Sequence, residues 1–298
     1  MDPDVSVLRT LTRRGRTLPG WMQRMARRAM LELGRATAPW RTEPDFLVIG
    51  AQRSGTTTLF RVLSQHPQVL RPTLSKGVGY FDTNYHKGRR WYAAHFPLRL
   101  TARLHGARTQ VFESSGYYSF HPSAARRIAA DLPGVKVVMM VRDPVERAYS
   151  AHSHELARGF ETEDFETAIA LEPRRTAGEA ERLAREDRYT SYAHRHHSYL
   201  ARGRYAEQLD RFGEQLGRDR VYVMDAHRFF AEPVEELARL FDWLGLRGWV
   251  PADVGRENAR SRAPMPEQLR SALSEHFEPY DAALADWLGR PASWRDQE

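Results

Sequence analysis

The chain has 298 residues, 41% of them hydrophobic and 28% charged, which is enough apolar material for a folded core. Because the sequence has no cysteine, disulfides, iron–sulfur clusters, thiolate zinc sites and a cysteine nucleophile are excluded. It contains no apolar run of about 18 residues that would predict a transmembrane helix, and no signal-peptide pattern near the N-terminus. We therefore expect a cytoplasmic protein.

The net charge of +7 is unevenly distributed along the chain. Residues 1–41 hold nine arginines and three acidic residues, so nearly all of the excess positive charge lies in this segment. The remainder is close to neutral, and its aromatic residues are not interleaved with basic stretches. This distribution argues against binding of nucleic acid, which needs a basic surface on the folded body.

Apolar residues recur at helical spacing from Leu18 to Leu33, with arginines between them. One interpretation is an interfacial helix that contacts an anionic membrane through residues 18–35. The other, which we favour, is a helix that packs its apolar face on the rest of the protein, because most amphipathic helices face a core. The sequence thus divides into a basic amphipathic leader, residues 1–40, and one domain, residues 41–298.

Short apolar runs alternate with helical patterns over the rest of the chain. The runs predict buried strands at 46–49, 111–112, 136–141 and 221–224. The helical patterns cover 57–65, 124–130, 145–158, 205–212 and 233–243. The charged residues 159–190 are predicted to form an inserted helix or a mobile flap. This alternation is typical of a three-layer αβα fold, an α/β architecture in which helices cover both faces of a central parallel sheet.

A glycine-containing segment directly after the first strand predicts a P-loop-like phosphate loop. Gly50 and Gly55 lie five residues apart between a strand and a helix, where backbone N–H groups and the helix N-terminus can bind an anion. The G-x-x-x-x-G-K-[ST] pattern has lysine after its second glycine, whereas this chain has Thr56 there and a cation earlier, at Arg53. The residues expected to bind the phosphate are Arg53, Ser54, Gly55, Thr56, Thr57 and Thr58.

A second anion site is predicted directly after the strand at 136–141. Arg142 follows that strand, and parallel sheets place ligands at the carboxyl ends of their strands. Pro144 suits the first turn of the next helix, and Ser150 lies two turns into it. Together the two sites predict a nucleotide that carries two separated phosphate groups.

These two motifs together resemble those of the sulfotransferases that depend on 3′-phosphoadenylyl sulfate (PAPS), in the carbohydrate and heparan-sulfate branch with its bacterial relatives. The resemblance covers roughly residues 45–295. It implies that the first loop holds the 5′-phosphosulfate and that Arg142 and Ser150 hold the 3′-phosphate. It also implies PAP as the product and transfer without a metal.

Four further segments resemble the family's motifs in the same order along the chain. They are residues 75–92, 113–122, 199–205 and 258–265. The third segment implies that Tyr199 lies beside the bound nucleotide. The fourth takes the place of the family's late basic loop, which implies that Arg260 and Arg262 contact the 3′-phosphate.

The catalytic residues follow the family pattern only in part. Lys76 is expected to stabilise charge on the sulfuryl group or the bridging oxygen. The next family residue, a glutamate that is the base in heparan-sulfate-type members, is Gly77 here. Glu113, at the carboxyl end of a short strand, is our first choice for the base, and a structural carboxylate bonded to the phosphate loop is the rival interpretation. Alternative bases are His86, His95 and His121.

A histidine-rich stretch at 194–197 raises the possibility of a metal site. The sequence offers no cysteine and no carboxylate at ligand spacing within this stretch, so we expect no metal there. We interpret it as part of a basic and aromatic rim that contacts cofactor phosphate or an acceptor. The other members of this rim are Tyr189, Tyr192, Tyr199, Arg202 and Arg204.

The sequence therefore predicts a PAPS-dependent O-sulfotransferase that acts on a hydroxyl of a carbohydrate or another small molecule. Two alternatives stay open. One is a P-loop phosphotransferase that uses ATP, which Thr56 in the lysine position argues against. The other is a non-catalytic PAP-binding relative that has lost its base at Gly77.

Overall fold

The computed structural model describes residues 19–255 and 263–295. Its strands are β1 Phe46–Gly50, β2 Val69–Leu70, β3 Gln110–Ser114, β4 Lys136–Val141 and β5 Val221–Asp225. They form one sheet in the order β2-β3-β1-β4-β5, and every neighbouring pair is parallel. The predicted parallel sheet is therefore confirmed, with β1 at its centre.

Helices occupy most of the remaining described chain. In chain order they are α1 Gly20–Ala36, α2 Thr56–Gln65, α3 Arg89–Ala93, α4 Arg99–His105, α5 Ala124–Asp131, α6 Pro144–Ala157, α7 Phe165–Thr176, α8 Glu179–Arg185, α9 Tyr192–His196, α10 Tyr205–Leu216, α11 Ala226–Ala231, α12 Pro233–Leu244 and α13 Glu267–Leu288. Short 3-10 turns lie at Ala38–Trp40, Tyr85–Lys87, Ala201–Gly203 and Arg218–Arg220. The predicted inserted helix is present as the pair α7 and α8.

Two apolar clusters cover the two faces of the sheet, because successive side chains of a strand point to opposite faces. Leu47 and Ile49 of β1 pack on one face with α5 and α10. Phe46 and Val48 pack on the other face with α2 and α12. This arrangement confirms the three-layer αβα fold.

The strand order brings the predicted motifs to one edge of the sheet. The chain leaves β1 toward β2 and β3 on one side and then crosses to β4 and β5 on the other. Such a reversal creates a crevice at the carboxyl ends of the central strands, where α/β proteins bind ligands. The segments that follow β1, β3 and β4 therefore meet there.

The sequence pattern did not predict β2, α13 or the short helices α3, α4, α9 and α11. The strand β2 is only two residues long and lies at the edge of the sheet. The buried side chains of α13 are Leu273, Phe277, Asp281 and Leu284, and Pro279 lies within the same helix. A carboxylate in the buried stripe and an internal proline both disrupt the apolar pattern from which a helix is predicted.

The leader helix is present as α1, but our favoured interpretation of its packing is wrong. Trp21, Met25 and Leu33 are 57%, 61% and 63% exposed, so its apolar face does not lie on the protein. The helix instead contacts the body at Gly34, where an added Cβ would lie 2.7 Å from the carbonyl oxygen of Ala94. Within the described residues, no helix combines the length and apolarity needed to cross a membrane.

Candidate active site

The segment between β1 and α2 has the backbone of a phosphate loop. Arg53 and Gly55 adopt left-handed conformations, with φ of 72° and 96°, and α2 begins at the next residue, Thr56. Among the described residues, no side chain caps the first turn of α2. The N–H groups of this turn, together with the helix dipole, therefore form an anion-binding end at the crevice.

Not every residue of the predicted loop reaches this crevice. Arg53, Gly55, Thr56 and Thr57 are partly exposed. Ser54 and Thr58 are only 1% exposed. That their hydroxyls donate to the phosphate stays a prediction, and the exposed part of the loop consists of backbone N–H groups, Arg53 and two threonines.

The second predicted anion site lies against the first. The Arg53 Nε donates to Ser150 Oγ at 3.1 Å, and Arg142 Nη1 donates to the carbonyl oxygen of Arg53 at 3.4 Å. Asp143 fixes the turn between β4 and α6, since its side chain accepts hydrogen bonds from the first N–H groups of that helix. Two segments about ninety residues apart thus form one site with two arginines.

A carboxylate and a third arginine, which the sequence analysis missed, complete this cluster. Glu146 on α6 accepts from Arg142 Nη2 at 3.3 Å and from Arg270 Nη2 at 2.5 Å. The spacing of four residues between Arg142 and Glu146 is a signal that could have identified the first pair. Arg270 lies on α13, and only the tertiary fold brings it here.

Lys76 lies beside the phosphate loop, as expected of a residue that contacts the transferred group. Its Nζ donates to Thr57 Oγ1 at 2.9 Å. Thr57 belongs to the first turn of α2, so the ammonium group lies next to the predicted anion-binding end. A cation and uncapped N–H groups therefore approach the same point from two segments.

Glu113 does not have the surroundings of a general base. The residue is fully buried; its Oε1 accepts from Val78 N at 3.0 Å, Ser115 Oγ at 2.5 Å and Tyr118 Oη at 2.8 Å. Its Oε2 accepts from Tyr92 Oη at 2.7 Å. Burial raises the pKa of Glu113, and these hydrogen bonds oppose the rise. A base must reach the proton it removes, so the expectation is corrected: Glu113 is a structural carboxylate that holds the loop at Val78.

Two of the three alternative bases are also enclosed. His95 is 5% exposed and His121 is 2% exposed. Burial lowers the pKa of His95 to about 4 and that of His121 to about 3, so both are neutral at pH 7. His86 is exposed on a 3-10 turn.

Tyr199 anchors its segment and does not present its side chain to the crevice. It is 1% exposed, and its hydroxyl donates to Glu161 Oε2 at 2.9 Å. Glu172 on α7 accepts the backbone N–H groups of Tyr199, Leu200 and Ala201 at 2.7–2.9 Å. Both the backbone N–H and the hydroxyl of Tyr199 are therefore bonded inside the protein, and that Tyr199 lies beside the bound nucleotide stays a prediction.

Arg202 is a buried link to the phosphate loop and not part of an exposed rim. It is 5% exposed and donates to Gln52 Oε1 at the start of the loop. The rings of Tyr117 and Phe120 each lie 5.0 Å from its guanidinium carbon. Burial lowers the pKa of Arg202 to about 10, so the group remains charged at neutral pH. Gln52 stands within the loop motif, but its contact with Arg202 depends on the fold.

The histidine-rich stretch is used in separate internal contacts. His194 Nδ1 lies 2.7 Å from Tyr117 Oη, and His196 Nδ1 lies 2.8 Å from Glu155 Oε2. In the part of the chain that the structure describes, no group of three or more metal-ligating side chains is arranged to hold an ion. The two remaining predicted contacts, Arg260 and Arg262, lie outside the described residues.

Comparison with known proteins identifies the family. A family model described as the sulfotransferase domain matches residues 43–253, most of the chain. The chain belongs to the sulfotransferase family. A solved sulfotransferase from Alicyclobacillus acidocaldarius is 28% identical, with a TM-score of 0.63 over 85% of this chain and 99% of that one.

Curated relatives agree with this membership. The bifunctional heparan sulfate N-deacetylase/N-sulfotransferase 1 of Caenorhabditis briggsae is 31% identical over 218 residues, which are 68% of this chain and 23% of the relative. The heparan sulfate glucosamine 3-O-sulfotransferase 6 of Homo sapiens is 24% identical over 287 residues, 87% of this chain and 76% of the relative. The chain spans less than a third of the length of the first of these relatives.

This sulfotransferase-family chain departs from the pattern at Gly77, and its backbone fits the departure. A Cβ at this position would lie 2.8 Å from the carbonyl oxygen of Ser114 and 3.1 Å from Ser115 Oγ. A glutamate there would therefore force the loop away from the end of β3. The backbone at Gly77 therefore leaves no room for the glutamate side chain that the resemblance predicts at this position.

Proposed function

We propose that this protein moves a sulfuryl group from PAPS to a hydroxyl group of a carbohydrate or a related small molecule. The acceptor oxygen bonds to sulfur as the bond from sulfur to the 5′-phosphate oxygen breaks, PAP leaves, and the hydroxyl proton passes to water. The observation that carries the proposal is the meeting of the two anion-binding segments, with Arg53 Nε 3.1 Å from Ser150 Oγ. A donor with a 5′-phosphosulfate and a 3′-phosphate offers two separated anionic groups to such a paired site. A nucleoside triphosphate such as ATP would find no P-loop lysine in this site, because Thr56 stands at the lysine position.

The chemistry of the donor set fits PAPS. The uncapped first turn of α2, with Thr56 and Thr57, would hold the 5′-phosphosulfate. Arg142 and Ser150 would hold the 3′-phosphate, since arginine and hydroxyl groups are strong donors to phosphate oxygens. PAPS supplies an activated sulfuryl group attached to the 5′-phosphate. In this proposal, Arg142 and the N-terminal end of α2 balance the negative charge of the phosphate groups, and no metal is needed.

Lys76 is the residue that we propose acts on the transferred group. Its ammonium lies at the first turn of α2, 2.9 Å from Thr57 Oγ1. Negative charge shifts onto the bridging oxygen during transfer, and a fixed cation at that point stabilises the transition state more than the ground state. By analogy with phosphoryl transfer, the other residues contribute mainly by positioning.

A carbohydrate acceptor is supported by the relatives that are named for heparan sulfate. The 3-O-sulfotransferase relatives are named for transfer to oxygen, and the deacetylase relatives for transfer to nitrogen. We propose transfer to oxygen. The buried Glu113 remains a positioning residue in this account, since it holds the loop that follows Lys76.

The direct test is a transfer assay with sulfur-labelled PAPS and desulfated heparan-type polysaccharide, in the presence of a chelator. The expected result is label in the polysaccharide, with attachment to oxygen shown by its resistance to nitrous acid. A parallel reaction with γ-labelled ATP and Mg²⁺ is expected to give no transfer. Phosphate transfer in that reaction would favour the phosphotransferase, and tight PAP binding without transfer to any acceptor would favour the non-catalytic relative.

A further inference from the structure

Exposed apolar side chains are concentrated in one part of the molecule. Among the described residues, thirteen large apolar side chains are exposed, and nine of them lie in the stretches 21–40 and 98–104. Leu104 is 80% exposed, and Leu100 and Trp40 are each 64% exposed. Single exposed apolar residues are normal on a protein surface, whereas a concentration of large ones marks an interaction site.

The two stretches adjoin in the fold. Arg41, just after the stretch that begins in α1, forms an antiparallel bridge with Leu98, just before α4. Arg99 Nε also donates to the carbonyl oxygen of Arg41 at 3.1 Å. We call the combined surface the apolar–basic face. Its apolar members are Trp21, Met22, Met25, Met30, Leu33, Trp40, Leu98, Leu100 and Leu104.

The orientation of α1 presents its apolar stripe outward. At 3.6 residues per turn, Trp21, Met22, Met25 and Leu33 fall on one side of the helix, and all four are exposed. The opposite side carries Gly34, which is buried against the body. The fold therefore uses a glycine for the internal contact and leaves the large side chains at the surface.

The charge of the face indicates what it contacts. Residues 20–40 contain four arginines and one glutamate, and residues 98–105 contain two arginines and no acidic residue. Large apolar side chains beside arginines are the composition of helices that lie in the interface of an anionic bilayer. Residues 1–18 carry four arginines and two aspartates, so their charge does not complement this face.

We propose that the apolar–basic face binds the surface of an anionic membrane. Trp21, Met25 and Leu33 of α1 enter the boundary between headgroups and acyl chains, and the exposed Leu100 and Leu104 of the adjoining stretch contribute to the same surface. The arginines of both stretches contact lipid phosphates. This attachment is peripheral, and it leaves the crevice at the carboxyl ends of the strands to the reaction.

The experiment is sedimentation of the full chain with vesicles of phosphatidylglycerol and phosphatidylcholine in equal parts. The test variant is Trp21→Ser/Met25→Ser/Leu33→Ser, and the matched control is Val234→Ser/Val250→Ser, which changes two residues that are 52% and 62% exposed elsewhere. We expect the test variant to bind about tenfold more weakly and the control to bind like the wild type. Binding of the wild type to vesicles should be weaker with pure phosphatidylcholine, and also weaker in 0.5 M salt.

Retained PAP binding and an unchanged melting temperature show that the test variant is folded. If it does not fold, Leu104→Ser replaces it, with a smaller expected loss. Equal vesicle binding by the wild type and the variants would overturn the proposal, as would no binding by the wild type. A wild-type dimer that the test variant converts to a monomer, without vesicle binding, would assign the face to a second copy and also overturn it.

Discussion

Two regions of the site use polar residues in opposite ways. The phosphate end is the proposed phosphate-binding part, formed by the loop after β1 and the start of α6. The wall consists of Glu113 and the side chains that bond to it, Tyr92, Ser115 and Tyr118. At the phosphate end, Arg53, Thr57 and Arg142 are partly exposed, and the first turn of α2 has no side-chain cap among the described residues. At the wall, Glu113 is fully buried and accepts four hydrogen bonds. One region keeps cationic and N–H donors at the surface of the crevice, and the other has a carboxylate whose partners are all inside the protein.

This difference separates residues that would bind the phosphate groups from residues that hold the backbone in place. Positively charged and N–H groups that stay at a surface can exchange water for phosphate oxygens at little cost. A buried carboxylate with all its partners inside the protein contributes by fixing the backbone around it. The location of a polar residue at the carboxyl end of a strand therefore does not make it catalytic, and the following predictions test this division.

The largest effect is expected from Lys76→Ala. Removal of one charge-stabilising group at a transition state lowers kcat by about 10²–10³-fold. Affinity for PAP should also fall, but by less than kcat, because PAP keeps the bridging oxygen in its 5′-phosphate and Lys76 lies beside the turn proposed to hold that group. The assay is label transfer from PAPS under saturating conditions, with Lys87→Ala as the control, since Lys87 is an exposed lysine beside Trp91. An unchanged kcat in Lys76→Ala would place the lysine outside the reaction.

The Glu113→Gln variant tests the wall directly. The amide keeps one acceptor oxygen but turns an amino group toward buried donors, so we expect a loss of about 1–3 kcal/mol in the free energy of unfolding. The kcat of the folded fraction should fall far less than the about 10²–10⁴-fold that removal of a general base causes. Urea unfolding and transfer assays measure the two effects. A native melting temperature with kcat abolished would restore Glu113 as the base.

A smaller effect is expected from Arg270→Ala at the phosphate end. Arg270 is held by Glu146, which also holds Arg142, and its side chain is 35% exposed. Loss of one such partly exposed pair is worth about 0.2–1 kcal/mol, so PAP binding should weaken by about 1.4-fold to fivefold. Calorimetry with Arg239→Ala as the matched control measures this. Equal affinity of both variants for PAP would contradict a contribution of Arg270 to PAP binding.

The last effect appears only in acid and concerns the support of Tyr199. Burial pushes the pKa of Glu161 upward, but hydrogen bonds from backbone N–H groups, Arg175 and Tyr199 lower it to about 2. An unfolded glutamate titrates near 4.3. The stability from Glu161 is therefore present above about pH 4.3 and is lost as the pH falls toward 2. Urea midpoints of the wild type and Glu161→Gln should converge over this range, and a constant difference would contradict the account.

The meeting of the two predicted anion-binding segments could be predicted from the sequence because its determinants are local. The glycine spacing after β1 sets the loop, and Pro144 with Asp143 sets the start of α6. The alternation of strands and helices then brings both segments to one edge of the sheet. The pairing of Arg53 with Ser150 follows from that topology, although its distance does not.

The wall could not be predicted because accessibility depends on distant residues. Tyr92 and Tyr118 enclose Glu113, and neither is marked in the sequence as its partner. The same holds for Tyr199, whose hydroxyl meets Glu161 from another segment. For α1, helical periodicity identified the apolar face but could not tell which way the face points.

The most direct test of the account is calorimetric binding of PAP and ADP to the wild type and to Arg142→Ala. If the two anion-binding segments form one site, the wild type binds PAP more tightly than ADP. Arg142→Ala then loses about 10–100-fold in affinity for PAP, as expected for hydrogen bonds between charged groups, and keeps its affinity for ADP. Equal affinity of the wild type for PAP and ADP, or an equal loss for both in Arg142→Ala, would contradict the account.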